Sequence, residues 1–210
     1  MNNQVKMKTE AETARVFLLA EAVLSLQRYQ PELWKIRFQA AIKSGVYEEW
    51  LFEAVLQSYL FLGYPAAIEG LRALSEVVAG KKLYEFEPWS THAKAWLVRG
   101  ADTAGAVYQH HLRTLLARLE SITPELTEWM IVEGYGKVLS RPRLPLTIRE
   151  FLLATLLGAG TFIRQFEAHL HGCKNVGTPT QWLITWFDGN QSEISPESKT
   201  VWEKFRNKYL

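Results

Sequence analysis

Apolar residues recur every three to four positions through most of the chain, the spacing of one helix face. Residues 10–27 carry Val16, Leu19, Ala20, Val23 and Leu24 in that register. Pro31 suits the first turn of a second helix, through Ile42, which Ser44-Gly45 ends. The pattern predicts a third helix over about 47–61, stopped by Gly63, and a fourth from Pro65 through Val78. After a loop over 80–90 that contains Pro88, two longer helices are predicted over 101–119 and 124–138. Residues 140–145, SRPRLP, read as an extended connector, because a residue before proline avoids the helical region. Thr147 is then expected to cap a helix that Gly158-Ala159-Gly160 breaks, with an antiparallel partner over 161–175. A short helix over 181–187 follows, and Pro196 opens a last one with Trp202, Phe205 and Tyr209 on one face. No alternating strand pattern of useful length occurs, so the fold class is all-α.

Sliding the chain by 132 positions aligns Gly45 with Gly177, Trp50 with Trp182 and Leu51 with Leu183. The segments before them, 22–44 and 154–176, then match as helix–turn–helix pairs. This predicts a single domain over 1–210 built of two related halves, at about 10–80 and 124–188. In that register Glu150 falls on Leu18 and His169 on Arg37, so only the second copy carries the acid/base pair considered below.

Composition narrows the function classes. A chain of 210 residues with 48% hydrophobic positions, eight Trp and ten Phe can bury a substantial core. The net charge is only +2 and the basic residues are dispersed, which disfavours a nucleic-acid partner. A single cysteine, Cys173, fits a reducing compartment. The N-terminal stretch lacks the apolar core of a secretion signal, and the longest apolar run, 151–163, is too short to span a bilayer. The expectation is a soluble, cytoplasmic protein with no membrane partner.

The predicted hairpin holds the candidate chemistry. Glu150 lies ten positions before Gly160 and His169 nine after it, so an antiparallel pair of helices brings both side chains to one height. Such a pair is either an acid/base site or two buried polar groups that satisfy each other. Cys173, one turn beyond His169, reads as a small core residue before it reads as a nucleophile. His171 points away from that face, and His110-His111 have no Cys or carboxylate at ligand spacing, so no metal site is expected.

The segment around Tyr135, GYGKVLSRPRLPLTIREFLLATLLGAGTFIRQFEAHLHGCKNVG, resembles the carboxymuconolactone decarboxylase family, which includes the alkylhydroperoxidase D-like proteins. The marks are Ser140-Arg141-Pro142, the Arg149-Glu150 pair opening a helix, His169 on the next helix, and Gly177 closing it. Upstream, SGVYEEWLFEAVLQSYLFLGYPAAIEGLR is similar to a later segment of the family, through Gln57, Tyr59, Gly63 and Pro65. The resemblance covers about two thirds of the chain, with the family's segments in unusual order, as a tandem pair would give. It implies the all-α alkylhydroperoxidase D-like fold and a homo-oligomer.

The peroxidase branch carries a Glu-x11-Cys-x2-Cys-x3-His pattern. Counted from Glu150, its thiol positions hold Phe162 and Gln165, so thiol peroxidase activity is not expected. The decarboxylase branch needs neither the thiols nor a metal or organic cofactor. By this resemblance His169 donates a proton to carbon, since imidazole titrates near neutrality, and Glu150 orients it. Arg149 or Arg164 would anchor a substrate carboxylate, while Gln57 and Tyr59 either line the pocket or pack between helices. The expected function is cofactor-free decarboxylation or proton transfer on a small carboxylated lactone or ring compound. The alternative is a non-catalytic binding or assembly protein of the same fold.

Overall fold

The computed structural model describes residues 3–83 and 85–210, and among these there is helix and no strand. The first four helices are α1 (Asn3–Gln27), α2 (Pro31–Lys43), α3 (Glu48–Gln57) and α4 (Tyr59–Val77). A middle group follows: α5 (Trp89–Tyr108), α6 (Leu112–Glu120), α7 (Pro124–Trp129) and a π-helical segment, Met130–Leu139. The chain ends with α8 (Leu146–Ala159), α9 (Ile163–Val176), α10 (Thr180–Gly189) and α11 (Pro196–Tyr209). No single described helix is long and apolar enough to cross a membrane.

Local signals explain most boundaries. Prolines 31, 124 and 196 occupy first helical positions, where the missing N–H costs no bond. Gly63 takes φ 80°, ψ 168°, a conformation open to glycine, and α3 and α4 meet at 118°. Thr147 does not cap α8: the helix starts at Leu146 after an extended Pro145, and Thr147 lies in its first turn, where its carbonyl accepts from the Thr178 hydroxyl.

Helix ends recur at the 132-residue offset. Shifted by that amount, α2 falls on 163–175 and α3 on 180–189, matching α9 and α10, and the part of α4 after Gly63 falls on α11. Gly45 and Gly177, which end α2 and α9, both have positive φ (87° and 81°). The packing recurs too: α1 lies against α2 and α4, α8 lies against α9 and α11, and α1 and α8 pack on each other. Their aligned residues Ala22/Ala154, Leu24/Leu156 and Leu51/Leu183 are all buried in one hydrophobic core. The matching helices of the second half run through α11, beyond the expected limit of 188, while 124–139 belongs to the middle group, with 130–139 packed on α5.

That middle group departs most from the expected pattern. The helix expected over 101–119 is two helices: α5 begins at Trp89, and Gln109, at φ 49°, opens a short 3-10 turn that redirects the chain into α6. His110 and His111 sit in this turn. The buried face of α5 is Trp96, Gly100, Ala104 and Val107, and two of these four are too small to give a strong periodic signal. Tyr135-Gly136, which resembles a helix end, lies within the π-helical segment, where Ser140 N–H bonds five residues back to the Tyr135 carbonyl. Backbones touch here. A Cβ on Gly100 would overlap the Ile131 carbonyl oxygen, and one on Gly136 would overlap that of Trp96.

Gly136→Ala should therefore push α5 away from the π-helical segment. Overpacking of this kind costs about 1–3 kcal/mol, and more where backbone must move. Thermal unfolding should show a fall in Tm of roughly 5 °C or more, whereas the same substitution at Gly134, whose added Cβ meets nothing within 4 Å, should leave Tm nearly unchanged.

Candidate active site

The α8–α9 hairpin brings Glu150 and His169 together. His169 Nδ1 lies 2.9 Å from Glu150 Oε2, with the carboxylate fully buried and the imidazole 5% exposed. A carboxylate can only accept, so Nδ1 carries the proton in this bond and Nε2 is left without a protein partner among the described residues. Glu150 Oε1 is buried and has no hydrogen-bond partner. Gly172 makes the approach possible: it stands one turn beyond His169, and a Cβ there would overlap Glu150 Oε2. Phe61 meets the imidazole edge-on, with ring centroids 5.8 Å apart.

His169 forms part of the wall of a cavity of about 320 Å³ between α4, α7, the π-helical segment and α9. Leu60, Phe61, Trp129, Met130 and Leu139 make it largely apolar, and Glu133 and Gln165 add polar groups. Among the described residues no lysine or arginine lines it. Of the two positions that hold thiols in the peroxidase pattern, Gln165 borders this cavity, while Phe162 is exposed and does not.

Two tyrosines complete the site. Tyr108 and Tyr135 both line the cavity, and their rings meet edge-on at 5.7 Å. Burial pushes both phenols up, and the nearby charge of Glu150 pushes them further, so both keep their protons near neutral pH. Neither was legible as a functional residue: Tyr108 ends α5 at an unsignalled break, and Tyr135 sits in a π-helix that no residue pattern announces. Cys173 is fully buried, and burial followed by the charge of Glu150 raises its thiol well above the ordinary range.

The remaining candidates lie elsewhere. Arg149 is fully buried and spent on structure. Its Nη2 bonds Glu53 Oε2 (2.8 Å) and the Arg141 carbonyl, Nη1 bonds Gln57 Oε1 (3.0 Å), and Nε bonds the Leu144 carbonyl. Arg141 Nε adds a second guanidinium to Glu53, at 2.9 Å from both oxygens. This network occupies every nitrogen of the Arg149 guanidinium, which corrects the expectation that Arg149 anchors a substrate; Gln57 gives its side-chain oxygen to the network and does not line the His169 cavity. Glu53, unmarked in the sequence reading, is its centre; its position beside Leu51, Ala54 and Val55 on the buried side of α3 was the available signal. Tyr59 reaches the cavity only indirectly: its hydroxyl donates to Glu133 (2.9 Å), while its ring lines a separate cavity with Tyr64 and Ile68. Arg164 is on the far side of α9, in a different cleft.

Among the described residues, no group of three or more His, Cys, Asp or Glu side chains is placed to hold a metal ion. No family model and no curated protein sequence matches this chain.

Glu53→Gln should leave two guanidiniums, one fully buried, against a neutral amide, and destabilise the protein by about 3–5 kcal/mol in chemical denaturation. The native Cys173 thiol should resist a thiol reagent at pH 8 and react fully once the chain is unfolded, because the thiolate is the reactive form and the fold suppresses it.

Proposed function

We propose that the chain is a carboxymuconolactone decarboxylase-like enzyme that moves a proton on a small, largely apolar ring compound, using His169 and Glu150. The observation that carries this reading is the buried dyad whose only partnerless nitrogen, Nε2, belongs to a residue lining an apolar cavity.

In this mechanism Glu150 fixes the imidazole with its proton on Nδ1, so that Nε2 presents a lone pair for abstraction or, once protonated, a proton for delivery. The carboxylate stabilises the imidazolium that forms in between. Decarboxylation is the form of the reaction that the family resemblance favours. The C–C bond to the carboxylate breaks, CO₂ leaves, the electron pair enters the conjugated lactone, and Nε2–H protonates the resulting carbanion at carbon. The apolar lining suits a step in which a carboxylate becomes neutral CO₂ with no cation to hold it back. Tyr108, protonated and hydrogen-bonded to Tyr135, is a donor for a ring oxygen that gains charge.

The test is turnover of a panel of unsaturated lactone acids by the wild type, His169→Ala and Glu150→Gln. Loss of His169 should lower kcat by about 10²-fold or more, and loss of the carboxylate should lower kcat while leaving KM nearly unchanged. Equal turnover by the wild type and His169→Ala would remove His169 from the mechanism. Ligand binding in the cavity with no turnover by any of the three proteins would favour a non-catalytic binding protein.

A further inference from the structure

A cluster of cationic side chains lies outside this cavity, on another flank of α9. Arg164 and His171 of α9 face Arg118 of α6 and His111 of the 3-10 turn across a cleft of about 460 Å³. Among the described residues neither Arg118 nor Arg164 has an ion-pair partner. Their guanidiniums are fixed positive charges in a concave surface, against the single carboxylate of Glu167. Asn175 is held in place from below by its bond to the Val107 carbonyl (2.8 Å), which leaves its side-chain oxygen and one N–H for other partners. Val107, Leu115 and Ala168 give the cleft an apolar floor.

We infer that this cleft is a binding site for a small organic polyanion, with Arg118 and Arg164 as its charged clamps and His111, His171 and Asn175 as further hydrogen-bond donors. Two guanidiniums lining one cleft suit a phosphate or paired carboxylates, since each can give bidentate bonds. Half-burial pulls the His171 imidazole down, so the ring serves as a hydrogen-bond donor without its own charge, while Lys174 and Lys208 add positive field around it. A macromolecular acidic surface fits less well, because the donors line a cleft with an apolar floor. Tyr108 walls both this cleft and the His169 cavity, so the two sites are neighbours; the inference stands whether or not the dyad is catalytic.

Titration with inorganic phosphate and, separately, with citrate tests this, followed by calorimetry and by the side-chain NMR resonances of the histidines. Saturable binding should perturb His111 and His171 and leave His92 unmoved. Arg118→Gln and Arg164→Gln should each weaken it about tenfold or more, with unchanged Tm, since both side chains are exposed. Arg72→Gln, on the exposed surface of α4, should change nothing. Preference for phosphate would mark a phosphate ester as the ligand, and preference for citrate a polycarboxylate. No saturation by either anion in the millimolar range, or equal weakening by Arg72→Gln, would overturn the inference.

Discussion

A carboxylate that is completely buried must be compensated where it stands, and Glu53 imposes that demand on this fold. Its two oxygens take the guanidiniums of Arg149 and Arg141, which come from α8 and from the connector just before it. The ion cluster thereby ties the first half of the chain to the second across more than ninety residues. Its consequence for the site is rotational. With Arg149 anchored toward α3, the next residue of the helix, about 100° further round, turns its carboxylate to α9, where His169 waits. A removed partner would leave charge in the core and also release the helix that carries the dyad.

The same junction exists twice, with different chemistry. At the 132-residue offset Arg149 corresponds to Phe17, Glu53 to Thr185 and Gln57 to Gly189. Where Arg149 meets α3 through ions, Phe17 meets α10 through an aromatic contact, 5.4 Å from the Trp186 ring, with Phe151 stacked beside it at 5.9 Å. One copy of the junction is apolar and self-sufficient, the other ionic and specific. The dyad follows the ionic copy. Its counterparts Leu18 and Arg37 form no pair with each other, and Arg37 bonds Glu21 at the surface instead. The middle helices are the second source of asymmetry. With α5 packed on α9 and the π-helical segment packed on α5, they place Tyr108, Tyr135 and Glu133 over the second dyad position.

Glycine contacts set the clearances on which this arrangement rests. Gly100 and Gly136 let two helical backbones touch, and Gly172 lets a carboxylate lie against a helix. None of the three needs an unusual backbone angle. Each is required for what a side chain would strike, and that depends on the partner helix and not on the residue's own neighbours.

The amino-acid sequence by itself determined what short-range chemistry controls. Proline at first turns, Gly45, Gly63 and Gly177 at breaks, and apolar periodicity within each helix made the all-α class and the outer helices legible. The nearly equal spacing of Glu150 and His169 about the Gly160 turn was enough to foresee their meeting, because a hairpin of two regular helices has one geometry. Only the tertiary structure decided which polar groups the core consumes. Arg149 looked as available as Arg164 until α3, some ninety residues away, proved to hold its partners, Glu53 and Gln57. It also decided the break at Gln109, the π-helical turn and the walls of both clefts, since these follow from close packing between distant helices and leave no periodic trace in the chain. Local preferences act over a turn or two of chain, whereas the partner of a buried charge is set by whichever segment the fold brings beside it.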